Sequence, residues 1–289
     1  MPIVEPVIRP PAEANSLLLQ ITTGCSANSC IFCGAYKLKP FSVKKYTEIF
    51  ADIDTAKKVY PDTRKVFLMD GNALVLTNEK LLPILERLNQ VFPKLTRISA
   101  YANGDDLAYR SQVELQNLAS FKLSLIYLGL ESGSQKILDK CKKRPTVQEM
   151  IQAVQKAQAV GIKSSVMVLL GLGGRELSEL HVKETIKALN KMQPKLLSFL
   201  TLMLIPGTEL YFQAQQNQFQ ELNAKEFVRE TYDLLIGLEL KQTVFRSNHA
   251  SNYLNLEGRL PQDKAQLLFT IQAALQNKVN LKPEFFRGL

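Results

Sequence analysis

Three of the four cysteines in this 289-residue chain lie in one short stretch, GCSANSCIFC. They are Cys25, Cys30 and Cys33, with four residues between the first two and two between the last two. Thiols grouped this closely can form a disulfide, hold a zinc ion, anchor an iron–sulfur cluster, or lie together by coincidence. Their spacing allows a compact loop to bring all three thiolates to one point, and this indicates metal binding.

Zinc and iron–sulfur binding differ in the ligands that each requires. A structural zinc site needs a fourth ligand to complete its tetrahedron. The remaining candidates are Cys141, His181 and His249, and none has the paired spacing typical of zinc ligands. Three ligands with an open position instead suit a centre that binds something else, such as an iron–sulfur cluster with one iron not held by the protein.

The cysteines directly follow the first of several short apolar runs. The runs cover 16–22, 65–69, 95–101, 122–130, 162–172 and 196–205, and longer segments with helical spacing of apolar residues separate them. Near-continuous apolarity is typical of parallel strands covered on both faces, and the longer segments are typical of amphipathic helices. This alternation predicts an α/β fold, either a barrel or an open doubly wound sheet. In both folds the loops at the carboxyl ends of the strands carry the site.

The repeating units are predicted to form one domain, because no Pro- or Gly-rich linker divides them. We expect an N-terminal lead-in over 1–15, a core over 16–215 and a mostly helical C-terminal extension over 216–289. The helices of the extension are predicted near 222–237 and 261–277. We expect the extension to cover the open side of the core.

The stretch GCSANSCIFC, placed after a strand, resembles the cysteine motif of the radical S-adenosylmethionine (SAM) enzymes. Their usual motif has three residues between the first two cysteines, whereas this chain has four. The resemblance implies a partial (β/α)6 TIM-like barrel and a [4Fe–4S] cluster on Cys25, Cys30 and Cys33. The amino and carboxylate groups of SAM would chelate the remaining iron, and Phe32 would lie near the adenine. Within the superfamily, the loop resembles those of coproporphyrinogen dehydrogenases and the Elongator catalytic subunit.

The ends of the second and third strands offer further contacts for SAM. The second strand ends in DGNA, residues 70–73, where the family commonly has Gly-Gly-Glu. The resemblance implies that Gly71 and Asn72 hold the amino group of SAM, and an ordinary strand-to-helix turn is the alternative. Ser99, at the end of the third strand, is a candidate contact for the SAM carboxylate or for the substrate.

The fourth and fifth strands end in YLGLESGS and GLGGRE. The resemblance implies that Glu131 accepts hydrogen bonds from the ribose hydroxyls, as acidic residues do in other nucleotide sites. It also implies that Gly173 and Gly174 form a turn that lets the backbone approach the adenosine.

Two residues are candidates for catalysis on the substrate side. Tyr101 ends the third strand, and His249 lies in the polar stretch RSNHASN. Imidazole titrates near neutrality, so His249 could act as an acid–base group. A loop stabilised by Asn and Ser side chains is the alternative for this stretch.

The chemistry implied by the resemblance is reductive cleavage of SAM to a 5′-deoxyadenosyl radical, which then takes a hydrogen atom from an unidentified substrate. This chemistry requires a reducing electron donor of the flavodoxin or ferredoxin type. The alternative is a non-enzymatic zinc- or iron–sulfur-binding module that could bind RNA. The net charge of +9 leaves RNA or a phosphorylated substrate open, but the sequence has no dense Lys/Arg block.

The sequence contains no apolar run of about eighteen residues, so no transmembrane helix is predicted. The N-terminal stretch MPIVEPVIRPPAEAN lacks the basic and apolar regions of a secretory signal. We therefore expect a cytoplasmic protein with no membrane partner. In that compartment clustered cysteines favour metal binding or catalysis over disulfides.

Overall fold

The computed structural model describes residues 3–288. The strands are β1 (Leu17–Leu19), β2 (Thr22–Thr23), β3 (Ser42–Val43), β4 (Lys65–Leu68), β5 (Arg97–Tyr101), β6 (Leu123–Glu131), β7 (Lys163–Leu170), β8 (Leu196–Thr201), β9 (Thr243–Ser247) and β10 (Leu256–Leu260). The helices are α1 (Tyr46–Val59), α2 (Asn78–Val91), α3 (Gly104–Ala108), α4 (Gln112–Ser120), α5 (Gln135–Lys140), α6 (Val147–Ala159), α7 (Gly174–Met192), α8 (Glu209–Gln215), α9 (Ala224–Gly237) and α10 (Lys264–Leu275). Among these residues, no helix has both the length and the apolar character needed to cross a bilayer.

The chain forms two compact units, and the first is built on parallel strands. It comprises the described residues up to Asn28, Cys33–Leu128 and Gln152–Ser164. Within it β1 pairs with β4, β4 with β5, and β5 with β6, each in parallel. The central residues of β4 and β5 are buried on both faces, which explains their near-continuous apolar sequence.

A two-stranded ladder closes the cysteine loop, which we define as residues 24–41. Thr22 pairs with Val43 and Thr23 with Ser42 in an antiparallel arrangement. The hydroxyl groups of Thr23 and Ser42 also hydrogen-bond to each other at 2.7 Å. The two ends of the cysteine loop are therefore held side by side.

The second unit combines parallel and antiparallel pairing. It comprises Ser29–Phe32, Gly129–Ile151 and the described residues from Ser165 onward. Strand β8 pairs in parallel with β7 and with β9, and β10 pairs antiparallel with β9. Helix α9 packs against both α7 and α10.

The predicted α/β class and its parallel strands are confirmed. The apolar runs of the sequence are the strands β1, β4, β5, β6, β7 and β8, and helices α9 and α10 match the two predicted in the C-terminal region. Strands β9 and β10 are absent from the prediction. Each is only five residues long, and the exposed positions carry charges at Arg246, Glu257 and Arg259, which weakens the apolar signal. The chain after residue 216 therefore contributes strands as well as helices.

Replacement of Phe199 by Ala tests how much the β8–β9 pairing depends on aromatic packing. Phe199 and Phe245 are fully buried, and their rings meet edge to face at 5.0 Å. We expect Phe199→Ala to lower the free energy of unfolding by about 3–5 kcal/mol, because it leaves a cavity in the core. Phe269→Ala, at a side chain 66% exposed, is the control and should change it little. Equal unfolding midpoints in urea for the two variants would contradict this account.

Candidate functional site

The cysteine loop begins with a glycine that no other residue could replace without a shift of the backbone. Gly24 has a φ of +69°, and a Cβ there would lie 2.6 Å from the carbonyl oxygen of Lys39. Its amide donates to the carboxylate of Asp70 at 3.2 Å, and its carbonyl accepts from the amide of Gly71 at 3.0 Å. The residue before Cys25 is thereby bonded directly to the segment that follows β4.

A buried ion pair holds the far end of the cysteine loop to the same segment. The ammonium of Lys39 lies 2.8 Å from the carboxylate of Asp70, and the two side chains are 3% and 0% exposed. Asp70 also accepts from the side-chain amide of Gln20 at 3.0 Å. Lys39 donates further to the carbonyls of Val4 and Pro6. One carboxylate thus binds both ends of the cysteine loop.

Gly71 packs directly against the first cysteine. A Cβ at Gly71 would lie 2.6 Å from the Cβ of Cys25 and 3.1 Å from its Sγ. Only a glycine leaves room for the Cys25 side chain in this position. The sequence prediction gave Gly71 a role in holding SAM, and the structure places it beside a predicted cluster ligand.

Asn72 follows Gly71 and has an acceptor atom that is buried without a partner. Its side-chain nitrogen donates to the hydroxyl of Ser26 at 2.8 Å and to the carboxylate of Asp106. Its Oδ1 has no hydrogen-bond partner among residues 3–288, and the side-chain nitrogen of buried Asn103 is likewise without one there. Buried polar atoms are normally satisfied, so an unpaired acceptor and donor at two strand ends suit a ligand with an ammonium and a carboxylate.

Tyr36 supplies a neutral hydroxyl close to two of the cysteines. The side chain is buried, and its oxygen has no partner in the described part of the chain. Burial is the main cause that raises the pKa of Tyr36, and the negative charges of Asp70, Cys25 and Cys33 add to it. The phenol therefore stays protonated.

Strand β5 carries two further candidates, Ser99 and Tyr101, and their side chains make different contacts. Ser99 is fully buried and donates its hydroxyl to the carbonyl of Val66 in β4 at 3.3 Å. Tyr101 packs edge to face against Phe67 at 5.2 Å and against Tyr127 at 5.9 Å. Burial raises the pKa of Tyr101, so its phenol is neutral. The hydroxyl of Ser99 is thus used within the sheet, whereas Tyr101 belongs to an aromatic cluster.

In the second unit, the middle of the cysteine loop is held by backbone contacts on either side of Cys30. Ile31 donates its amide to the carbonyl of Cys141 at 3.1 Å and accepts from the amide of Leu210 at 3.1 Å. The hydroxyl of Ser29 donates to the carbonyl of Lys142 at 2.8 Å. Phe32 is half-buried at the end of this segment. These contacts fix the backbone around Cys30 to the turn after α5 and to α8.

Cys141 lies close to Cys30 but differs from it in exposure. Its side chain is 3% exposed, whereas Cys25, Cys30 and Cys33 are half-buried. Burial raises the pKa of Cys141 to about 12, and the nearby charges of Cys30 and Glu131 contribute. A thiol with this pKa is protonated at neutral pH and is a poor metal ligand.

Glu131 is held in a specific orientation at the end of β6. Its backbone has a φ of +62°, which is unusual for a residue with a side chain. Its carboxylate pairs with the ammonium of Lys143 at 3.1 Å, and both side chains are largely buried. A Cβ at Gly129 would lie 2.0 Å from the Glu131 carboxylate, so a glycine is needed beneath it.

Gly173 and Gly174 line a cavity of about 720 Å³ in the second unit. Both glycines are buried, and Gly174 has a φ of +60° at the start of α7. Cys141, Leu172 and Phe219 are among the other residues that line the cavity. The predicted glycine turn therefore borders open space large enough for a small molecule.

His249 lies beyond the end of β9, in a loop that contacts the end of β8. Its Nδ1 is 2.9 Å from the hydroxyl oxygen of Ser251, which accepts from the amide of Thr201 at 3.2 Å. Burial, with a contribution from Lys282, lowers the pKa of His249. The imidazole is therefore neutral at physiological pH.

Two of the predicted residues, Tyr101 and Glu131, are the last residues of their strands. Within residues 3–288, no group of three or more His, Cys, Asp or Glu side chains is arranged to hold a metal ion. All four cysteines are thiols rather than half-cystines. Sequence reasoning missed Lys39, Asp106 and Lys143, because lysine and aspartate side chains are usually solvated and give no distinct pattern.

Comparison with protein families decides the identity of the fold. The model of the Radical SAM superfamily matches residues 19–189, which is more than half of the chain. The chain belongs to the radical SAM superfamily. The family match does not define a substrate.

Three proteins illustrate what this radical SAM chain is similar to. Heme chaperone HemW of Bacillus subtilis is 23% identical over 186 residues, which cover 63% of this chain and 48% of HemW. The structure of coproporphyrinogen III oxidase (HemN) from Escherichia coli superposes with a TM-score of 0.55 at 15% identity, covering 76% of this chain and 50% of HemN. Elp3 from Methanocaldococcus infernus gives a TM-score of 0.51 at 17% identity, covering 91% of this chain and 63% of Elp3. The chain spans about half the length of HemW and HemN, and the predicted resemblance to this branch is confirmed.

Removal of Lys39 tests the buried ion pair. We expect Lys39→Ala to lower the free energy of unfolding by about 3–5 kcal/mol, because it leaves the Asp70 carboxylate buried without its cation. Lys94→Ala is the matched control, since Lys94 pairs with Asp62 at 2.9 Å on the surface. Surface pairs contribute little, so this variant should unfold at nearly the wild-type urea concentration. Similar losses in both variants would disprove a special role for burial.

Alkylation of the cluster-free protein tests the difference among the cysteines. We expect iodoacetamide at pH 8 to modify Cys25, Cys30 and Cys33 well before Cys141, because Cys141 is buried and its pKa is raised to about 12. Peptide mass spectrometry over time measures the four rates separately. The protein unfolded in urea is the control, in which Cys141 should react with the others. Rapid modification of Cys141 in the folded protein would be inconsistent with its burial.

Proposed function

We propose that this chain binds a [4Fe–4S] cluster through Cys25, Cys30 and Cys33, cleaves SAM reductively and directs the resulting 5′-deoxyadenosyl radical to a substrate. The observation that carries the proposal is a loop with three half-buried cysteines directly after the first strands of a radical SAM fold. Thiolates are the usual anchors of such clusters, and three of them leave one iron open to another ligand.

Polar atoms in the segments that follow β4 and β5 support binding of the methionine part of SAM. The unpaired Oδ1 of Asn72 can accept a hydrogen bond from an ammonium group, and the carboxylate of Asp106 adds negative charge next to it. The unpaired nitrogen of Asn103 can donate to a carboxylate. These side chains together complement both charged groups of an amino acid.

The second unit supports binding of the nucleoside part. Glu131 can accept hydrogen bonds from ribose hydroxyls, and the contact with the Lys143 ammonium at 3.1 Å holds its carboxylate in one orientation. Gly173 and Gly174 present backbone without side chains beside a cavity, as an adenine contact needs. Phe32 adds an aromatic ring that is half-buried. Burial of such a site excludes water from reactive intermediates.

When bound and reduced, the cluster supplies the single electron that breaks the bond between C5′ and sulfur in SAM, giving methionine and the radical. The chain itself orients the nucleoside and limits access of water. An external one-electron donor of the flavodoxin or ferredoxin type must reduce the enzyme. Tyr101 and His249, both neutral, are the candidate groups on the substrate side.

Anaerobic reconstitution with iron and sulfide tests the proposal. We expect wild type to bind about four irons with matching acid-labile sulfide. With dithionite and SAM it should release 5′-deoxyadenosine, measured by mass spectrometry. Cys30→Ala should lose both properties, because one ligand of the cluster is gone. Cys141→Ala is the matched control and should retain them.

Two results would contradict the proposed function. One is a stoichiometric zinc content with no iron in protein purified without air. The other is full 5′-deoxyadenosine production by Cys30→Ala.

A further inference from the structure

Helix α7 turns a face of polar side chains toward the interior of the second unit. Ser178, His181 and Thr185 are spaced three and four residues apart and so lie on one face of the helix. His181 and Thr185 are fully buried. Buried polar groups are costly unless they are hydrogen-bonded, and an apolar face would suffice for packing alone.

Two of these side chains bind the loop that follows Glu131. The hydroxyl of Thr185 accepts from the amide of Gly133 at 2.8 Å. The Nδ1 of His181 is 2.9 Å from the hydroxyl oxygen of Ser132, which also accepts from the amide of Ser134 at 3.1 Å. A Cβ at Gly133 would lie 2.3 Å from the carbonyl oxygen of Glu184, so the loop touches the α7 backbone. These contacts hold the loop next to the strained backbone of Glu131.

The same face of α7 is connected to the turn before Gly173 by hydrogen bonds to a glutamate of α9. Glu230 of α9 is 1% exposed and accepts from the amide of Gly171 at 2.6 Å. Ser178 donates its hydroxyl to the other carboxylate oxygen. The Nε2 of His181 lies 3.7 Å from the Glu230 carboxylate. Gly171 itself has a φ of +78°, and a Cβ there would meet the ring of Phe227 at 2.2 Å.

The protonation of His181 follows from these partners. The hydroxyl of Ser132 accepts from the Ser134 amide and has its own hydrogen available for Nδ1. Nδ1 therefore accepts a hydrogen bond from Ser132, and the single ring hydrogen of the neutral imidazole is on Nε2, which faces Glu230. Complete burial lowers the pKa of His181, so the ring is neutral in this arrangement.

We propose that Ser178, His181 and Thr185, together with Glu230, are positioning residues that hold the Glu131 loop and the Gly171–Gly174 turn in the conformation that binds the nucleoside of SAM. We call these four residues the α7 clamp. The inference rests on the proposed function, because it assigns the ligand of the two loops to SAM. It goes further by placing the control of SAM affinity in side chains that do not touch the ligand.

Thr185→Val tests the α7 clamp with little change in shape. It removes the hydrogen bond that Thr185 accepts from the Gly133 amide and leaves that amide buried without a partner. The free-energy cost of the unpaired amide is large enough to weaken SAM binding by about tenfold. We expect the Kd for SAM, measured by equilibrium dialysis of unreduced reconstituted protein, to rise by about that factor. We also expect faster hydrogen exchange of the Gly133 amide, with unchanged iron content.

Two variants serve as controls for Thr185→Val. Thr231→Val removes the hydroxyl of another buried helical threonine, which donates to the carbonyl of Phe227 in its own helix at 2.9 Å. It should leave the Kd for SAM within about twofold of wild type, because the hydrogen bond that is lost lies outside the α7 clamp. Thr185→Ser keeps the hydroxyl and should restore most of the affinity. His181→Ala should act like Thr185→Val, and if it does not fold, the threonine variants decide.

The possible results separate this inference from the proposed function. If Thr185→Val exchanges faster at Gly133 but binds SAM as wild type does, the α7 clamp is purely structural and the inference fails alone. Equal losses of affinity in Thr185→Val and Thr231→Val would overturn it as well. If wild type holds the cluster but does not bind SAM, the proposed function and the inference fail together.

Discussion

The arrangement of the cysteine loop depends on one buried ion pair. A lysine and an aspartate taken out of water are costly unless each is fully bonded. Here Asp70 accepts from Lys39, Gln20 and the amide of Gly24, and Lys39 donates to two backbone carbonyls as well. Because these partners lie at both ends of the cysteine loop, the pair determines where Cys25 enters and where the chain leaves.

Close backbone approach is the second constraint on the site. At Gly71 the space that a Cβ would fill is occupied by Cys25, and at Gly129 it is occupied by the carboxylate of Glu131. In each case the glycine leaves room for the neighbouring side chain. The positions of the Cys25 and Glu131 side chains thus depend on the absence of a side chain at Gly71 and Gly129.

The sequence predicted the strands and the cysteine loop because both have strong local signals. Long apolar runs such as 162–172 can be read without knowing the fold, and three cysteines in nine residues are uncommon. The partners of these elements were not predictable. A lysine in a loop is usually solvated, and nothing near Lys39 in the sequence shows that Asp70 meets it. Strand β9 was missed because its pairing with β8, and not its composition, makes it a strand.

The backbone bonds made by Val4 and Pro6 have a consequence for substitutions at these positions. Val4 exchanges hydrogen bonds with the side chain of Gln20 through its amide and carbonyl, and Lys39 also binds the carbonyls of Val4 and Pro6. Such bonds use atoms common to every amino acid, apart from the amide hydrogen that proline lacks. Replacement of Val4 by any residue except proline therefore keeps the atoms that make these bonds. A comparison of side chains alone would miss that the backbone here is bonded to Lys39 of the cysteine loop.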